Sequence, residues 1–205
     1  MKLENINEMQ FDVLKEIGNI GAGNATTALA KLINSKLAMK VPKVQMVGFQ
    51  DLATVMGSEE NIMVAVLVTL SDDVEGMMMF LMDVKSAKFL ISQMLKSMGM
   101  EMPIDENAEF SEMELSVVSE LGNIISGSYL AALSSLLQLV INISVPYVSV
   151  DMAGAILSVP AIEFGKVGDQ VLLIETKFGD DEISGYFILI PEEDSYEKIM
   201  KALGM

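Results

Sequence analysis

A stretch near the start of this chain is repeated 104 residues later. Asp12-Val-Leu-Lys-Glu16-Ile-Gly18-Asn19-Ile-Gly-Ala-Gly23 aligns with Ser116-Val-Val-Ser-Glu120-Leu-Gly122-Asn123-Ile-Ile-Ser-Gly127. The same offset carries Leu29 onto Leu133, Pro42 onto Pro146 and Val44 onto Val148. It also pairs two helix-start patterns, Asn7 with Gln10 and Ser111 with Glu114, each a capping residue followed three positions on by a side chain that can reach back. An internal repeat of this length restricts the fold to two like halves. After a small shift the match resumes, with Asp72-Asp73 before Gly76 against Asp180-Asp181 before Gly185. Both acidic pairs read as turns between strand-like runs, Met63–Leu70 and Met77–Met82 in the first half, Val171–Phe178 and Tyr186–Ile190 in the second. Solvation in a turn explains these acids more simply than a metal site.

Each half reads as a long helix, three strands and a short closing helix. The short helices run from near Asp83 to Gly99 and from Pro191 to Gly204. The first strand of each half holds its proline, Pro42 or Pro146, near one end, where the missing N–H is tolerated. Runs such as MVAVLV and MMMFLM are apolar on both faces, which predicts a sheet covered on both sides. The expected architecture is a single α+β domain, pseudo-two-fold, with two long and two short helices around a shared sheet of roughly six strands. Its halves span 1–98 and 108–205, joined by a linker at 99–107. Eighteen methionines are expected mainly in the core.

Composition removes whole classes of chemistry. With no Cys and no His, thiol nucleophiles, disulfides, Cys/His zinc sites and imidazole acid–base catalysis are excluded. The net charge of −16 opposes nucleic acid and anionic membrane surfaces. The most apolar span, 129–143, is short and interrupted by Ser134, Ser135, Gln138 and Asn142, so no bilayer crossing is expected. MKLENINEMQ lacks the apolar stretch of a secretory signal, and a cytoplasmic location is expected. Gly18-x2-Gly21-x-Gly23 falls inside a helical pattern, not after a strand, so it is no dinucleotide loop.

At 100° per residue, Leu14, Ile17, Gly21, Ala25, Ala28 and Leu32 gather on the side of the first helix that must face the sheet. Asp12, Glu16, Asn19, Gly23 and Ala30 lie opposite; Ser116, Glu120, Asn123, Gly127 and Ser134 repeat that face. A carboxylate and an amide three residues apart are surface neighbours on a helix. On one helix such a pair is ordinarily just solvated polarity. Here it recurs, although solvent-facing positions drift fastest after duplication. Each interior glycine costs the helix about 1 kcal/mol, and Asn is a mediocre helix former, so helix stability explains neither. Gly18 and Gly21 suit packing on the sheet, whereas Gly23 and Gly127 clear space beside the amide.

The doubled spacing Asp/Ser-x3-Glu-x2-Asn-x22-Pro, occupied by Asp12, Glu16, Asn19, Pro42 and by Ser116, Glu120, Asn123, Pro146, resembles the signature of the CheC/CheX/FliY family of chemotaxis phosphatases. Two copies in a short chain are nearest to the CheC branch, since CheX has one copy and FliY carries an added domain. The resemblance implies hydrolysis of the phospho-aspartate on a phosphorylated CheY-like receiver. It implies that Asn19 and Asn123 hold the attacking water, and that Glu16 and Glu120 pair with the receiver's lysine. Asp12, Gly23, Ser116 and Gly127 would complete the docking face. It further implies no cofactor on this chain, with Mg²⁺ carried by the substrate, and the receptor deamidase CheD as a second partner. The rival readings are a non-catalytic adaptor and a module like the middle domain of FliM, which lacks the Glu-x2-Asn pair.

Overall fold

The computed structural model describes residues 8–33, 39–100, 103–105, 108–164, 170–178 and 183–204. Asn7, the Asp180-Asp181 pair and parts of the linker lie outside these residues. In the first half, α1 (Glu8–Leu32) is followed by β1 (Met39–Gly48), a single 3-10 turn and α2 (Leu52–Val55), then β2 (Ile62–Asp72), β3 (Gly76–Asp83) and α3 (Val84–Ser97). The second half repeats the order with α4 (Glu112–Leu137), β4 (Ile141–Ile143), β5 (Tyr147–Met152), α5 (Ala153–Phe164), β6 (Gln170–Phe178), β7 (Ile183–Pro191) and α6 (Glu193–Ala202).

The strands form one antiparallel sheet in the order β1-β6-β7-β3-β2, with β4 and β5 both on the outer side of β2. Each half therefore lends its first strand to the other half's hairpin, β1 to β6 and β5 to β2. The pseudo-dyad runs between β3 and β7, where Phe80 stands opposite Phe187 with ring centroids 4.7 Å apart. The sheet has seven strands rather than six, and the extra one has a local cause. β4 and β5 are two pieces of one edge strand, interrupted at Ser144-Val145-Pro146. The equivalent edge strand β1 slips register between Lys40 and Lys43, around Pro42. Proline cannot donate to a ladder, so each copy breaks its edge strand there.

Side chains alternate across the sheet as pleating requires. Val64, Val66, Val68, Met78, Phe80 and Met82 face the layer formed by the long and short helices. Met63, Ala65, Met77, Met79 and Leu81 face the other side, where Leu52, Ala153, Ile156 and Leu157 cover them. The covering elements there, α2 and α5, are absent from the sequence expectation. In α5 an apolar run containing Pro160 carries no amphipathic stripe by which a helix could be recognised. The expected methionine core is present: Met77, Met78, Met79 and Met82 are all at most 2% exposed. Each such burial contributes about 1.5–3 kcal/mol.

Among the described residues no helix is long and apolar enough to cross a membrane. Asp72 and Asp73 do more than sit in a turn: Asp73 Oδ2 accepts from the Val140 N–H at 2.7 Å, and Asp72 Oδ2 accepts from the Asn142 amide at 2.7 Å. They tie β2 to the second half.

Candidate active site

The long helices lie side by side on the sheet and touch along their middles. Three glycines set how closely they settle. A Cβ on Gly122 would meet Val66 of β2 at 2.3 Å, and one on Gly18 would meet Ile174 of β6 at 3.0 Å. Gly21 does not pack on the sheet as expected; its Cβ would collide with the Tyr129 ring of α4 at 2.6 Å. The reason is that Tyr129, fully buried and stacked on Phe187 at 5.2 Å, occupies the seam between α1 and α4. Leu14's side chain is not described, and Ala28 is half-buried, lining a groove between α1 and α4 instead of the sheet face.

With those inner faces fixed, the opposite faces point outward. Asp12, Glu16, Ser116, Glu120 and Asn123 are exposed, and Asn19 is half-buried. None of the four Glu and Asn side chains has a hydrogen bond or ion pair among the described residues. A Cβ at Gly23 would touch nothing within 4 Å, and one at Gly127 would meet only Ile143 at 3.9 Å. Each ridge therefore offers a free carboxylate, a free amide one turn on, and open space beyond.

The α4 ridge is anchored at its start. Ser111 and Glu114 form the capping box, the Ser111 hydroxyl accepting from the Glu114 N–H and the Glu114 carboxylate accepting from the Ser111 N–H at 2.8 Å. Glu114 also accepts from Lys88 of α3 at 2.7 Å, and that ammonium sits 4.3 Å from the centre of the Phe110 ring. Burial by itself would raise the Glu114 pKa. The hydrogen bonds from Lys88 and Ser111 and the Lys88 charge outweigh it and hold the carboxyl below its usual range.

The repeat offset also pairs two exposed methionines that the motif spacing does not use. Met9 and Met113 lie two turns before Glu16 and Glu120 and are 65% and 48% exposed. Among the described residues no group of three or more acidic side chains is placed to hold a metal ion.

This geometry can be set beside known proteins. A sequence model of the CheC-like family matches residues 9–46 and 113–150, the two ridge-bearing segments with the first strand of each half. A protein of Bacillus subtilis named CheY-P phosphatase CheC is 34% identical over 97% of this chain and 96% of its own length. The chain belongs to the CheC-like family. The FliY structure from Thermotoga maritima superposes with a TM-score of 0.71 at 25% identity, covering 97% of this chain and 99% of that one. A FliM–SpeE complex structure from H. pylori gives a TM-score of 0.69 at 14% identity, covering 98% and 97%. That last likeness concerns the fold alone, and function has to be argued from the ridges.

Proposed function

We propose that this chain is a phosphatase acting on a phosphorylated CheY-like receiver, with one reactive ridge on α1 and one on α4. The family membership supports the reaction, since the Bacillus subtilis relative bears the name of a CheY-P phosphatase. The observation that carries the residue assignment is the recurrence, in both halves, of an outward carboxylate and amide that bind nothing among the described residues. Exposed polar groups kept free and given clearance by Gly23 and Gly127 suit work across an interface.

The chemistry fits so sparse a site. In a receiver, the phosphoryl group to be lost is neutralised by the substrate's own Mg²⁺ and lysine, and it leaves through a loose transition state. A positioned water is then the main requirement. An amide can both donate through its NH2 and accept through its carbonyl oxygen without taking up charge, so Asn19 or Asn123 can hold water in line with the P–O bond. Glu16 or Glu120 pairs with the receiver's lysine and sets the register of docking. Neither glutamate is required as a general base, because little nucleophile activation is needed.

The test is phosphate release from a phosphorylated CheY-like receiver with and without the protein. Asn19→Ala/Asn123→Ala should abolish the acceleration while leaving stability within about 0.5 kcal/mol, as for other substitutions outside the core. Each single variant should retain the other ridge's contribution. Full activity in the double variant would refute the asparagine assignment.

A further inference from the structure

The ridge of each long helix continues, towards its N-terminus, into a residue that neither the cap nor the core explains. Met9 and Met113 stand at equivalent positions of the repeat, in the first turns of α1 and α4, and are 65% and 48% exposed. Seven residues turn a helix through 700°, 20° short of two full turns, so each methionine lies on the same face as Glu16 or Glu120. At about 1.5 Å per residue, the methionine is about 10 Å from the glutamate and about 15 Å from the asparagine along the axis. An ordinary protein–protein interface of about 800 Å² per partner is roughly 32 Å across. A partner centred on the Glu–Asn pair therefore covers the methionine as well.

Local structure offers no alternative role. The first turn of a helix favours acids, as Glu112 and Glu114 illustrate in α4, and an outward methionine contributes nothing to the dipole. The other exposed large apolar residue described on these helices, Leu136 at 43%, is not duplicated in kind, because its counterpart Leu32 is half-buried. Recurrence at a solvent-facing position singles out Met9 and Met113. Methionine is enriched in interface cores, where its unbranched thioether adapts to an uneven surface.

We infer that Met9 and Met113 are the apolar anchors of receiver docking, each serving the ridge on its own helix. This rests on the function proposed above. Each anchor packs against an apolar patch of the receiver about three helical turns from the phosphoryl site, while the glutamate fixes register and the asparagine meets the water. The anchors act on binding and not on the chemical step.

Single-ridge enzymes provide the test, with KM and kcat measured for phosphate release from a phosphorylated CheY-like receiver. In Asn123→Ala, where only the α1 ridge turns over, Met9→Gln should raise KM about tenfold with kcat within about twofold. Met113→Gln should raise it far less. In Asn19→Ala the dependence should reverse. Met9→Leu, similar in bulk, should restore KM. Equal effects of matched and mismatched Gln substitutions, an unchanged KM, or a fall in kcat alone would overturn the anchors. If a Gln variant does not fold, Met9→Lys or Met113→Lys replaces it, with the same expectation. Activity surviving in Asn19→Ala/Asn123→Ala would defeat the asparagine assignment separately. The anchors would then be judged from the KM of Met9→Gln/Met113→Gln.

Discussion

Replacing Glu114 with alanine removes the carboxylate that Lys88 reaches at 2.7 Å. The Lys88 side chain is only 1% exposed, so its ammonium cannot regain water without opening the contact between α3 and α4. Leaving one partner of a buried pair alone costs about 3–5 kcal/mol. Loss of the carboxylate's bond to the Ser111 N–H adds about 1 kcal/mol, and the Phe110 ring beneath the ammonium returns part of the total. The net expectation is about 4 kcal/mol, a large share of the 5–15 kcal/mol typical of a folded domain. For a chain of this size that lowers the melting midpoint by roughly 8–16 °C. Urea unfolding followed by circular dichroism reads it directly. Lys88→Met should cost much less, because it removes the buried charge and leaves Glu114 free to turn towards water. The pair also has a pH signature. The folded pKa of Glu114 is depressed, so its contribution is present above the unfolded value of roughly 4.3 and is lost as pH falls through the folded value. Wild type should lose stability in that acid window, and Glu114→Ala should show a shallower loss. A cost below about 1 kcal/mol for Glu114→Ala, or a larger cost for Lys88→Met, would refute the buried-charge reasoning.

Three further outcomes follow from the packing and one from the charge on the ridges. Gly122→Ala drives a Cβ into Val66 and should destabilise by about 1–3 kcal/mol, with activity lost first from the adjacent Asn123. Gly23→Ala places a Cβ with nothing within 4 Å among the described residues and should stabilise α1 by up to about 1 kcal/mol, yet raise KM if that clearance serves the partner; unfolding curves and steady-state kinetics separate the two. Tyr129→Phe should be neutral or stabilising in urea, because the phenol is fully buried without a hydrogen bond among the described residues; a loss above about 1 kcal/mol would show that the hydroxyl is satisfied after all. Glu16→Gln/Glu120→Gln should weaken capture of the phosphorylated receiver and flatten its salt dependence, read by binding at several ionic strengths; a fall in kcat with unchanged binding would instead assign the glutamates to the transition state.

The duplication, the two long helices and the outward Glu–Asn ridges are all written in local sequence. Repeat spacing needs no tertiary information, and the 3.6-residue period places Glu16 beside Asn19 whatever the helix packs against. The apolar runs of β2 and β3 likewise announced a sheet covered on both faces. Other features depend on contacts between residues far apart in the chain. The exchange of first strands between the halves, β1 onto β6 and β5 onto β2, leaves no local trace, because every strand in it would read the same if paired within its own half. α5 is mostly apolar with no amphipathic stripe, and only the outer face of the sheet determines that it coils there. Gly21 lost its expected place on the sheet because Tyr129 arrives from the other half to fill the seam. Sequence alone thus determined which side chains share a helix face; how those helices are spaced, and so how far the two ridges stand clear for a partner, was decided by glycine contacts made across the pseudo-dyad.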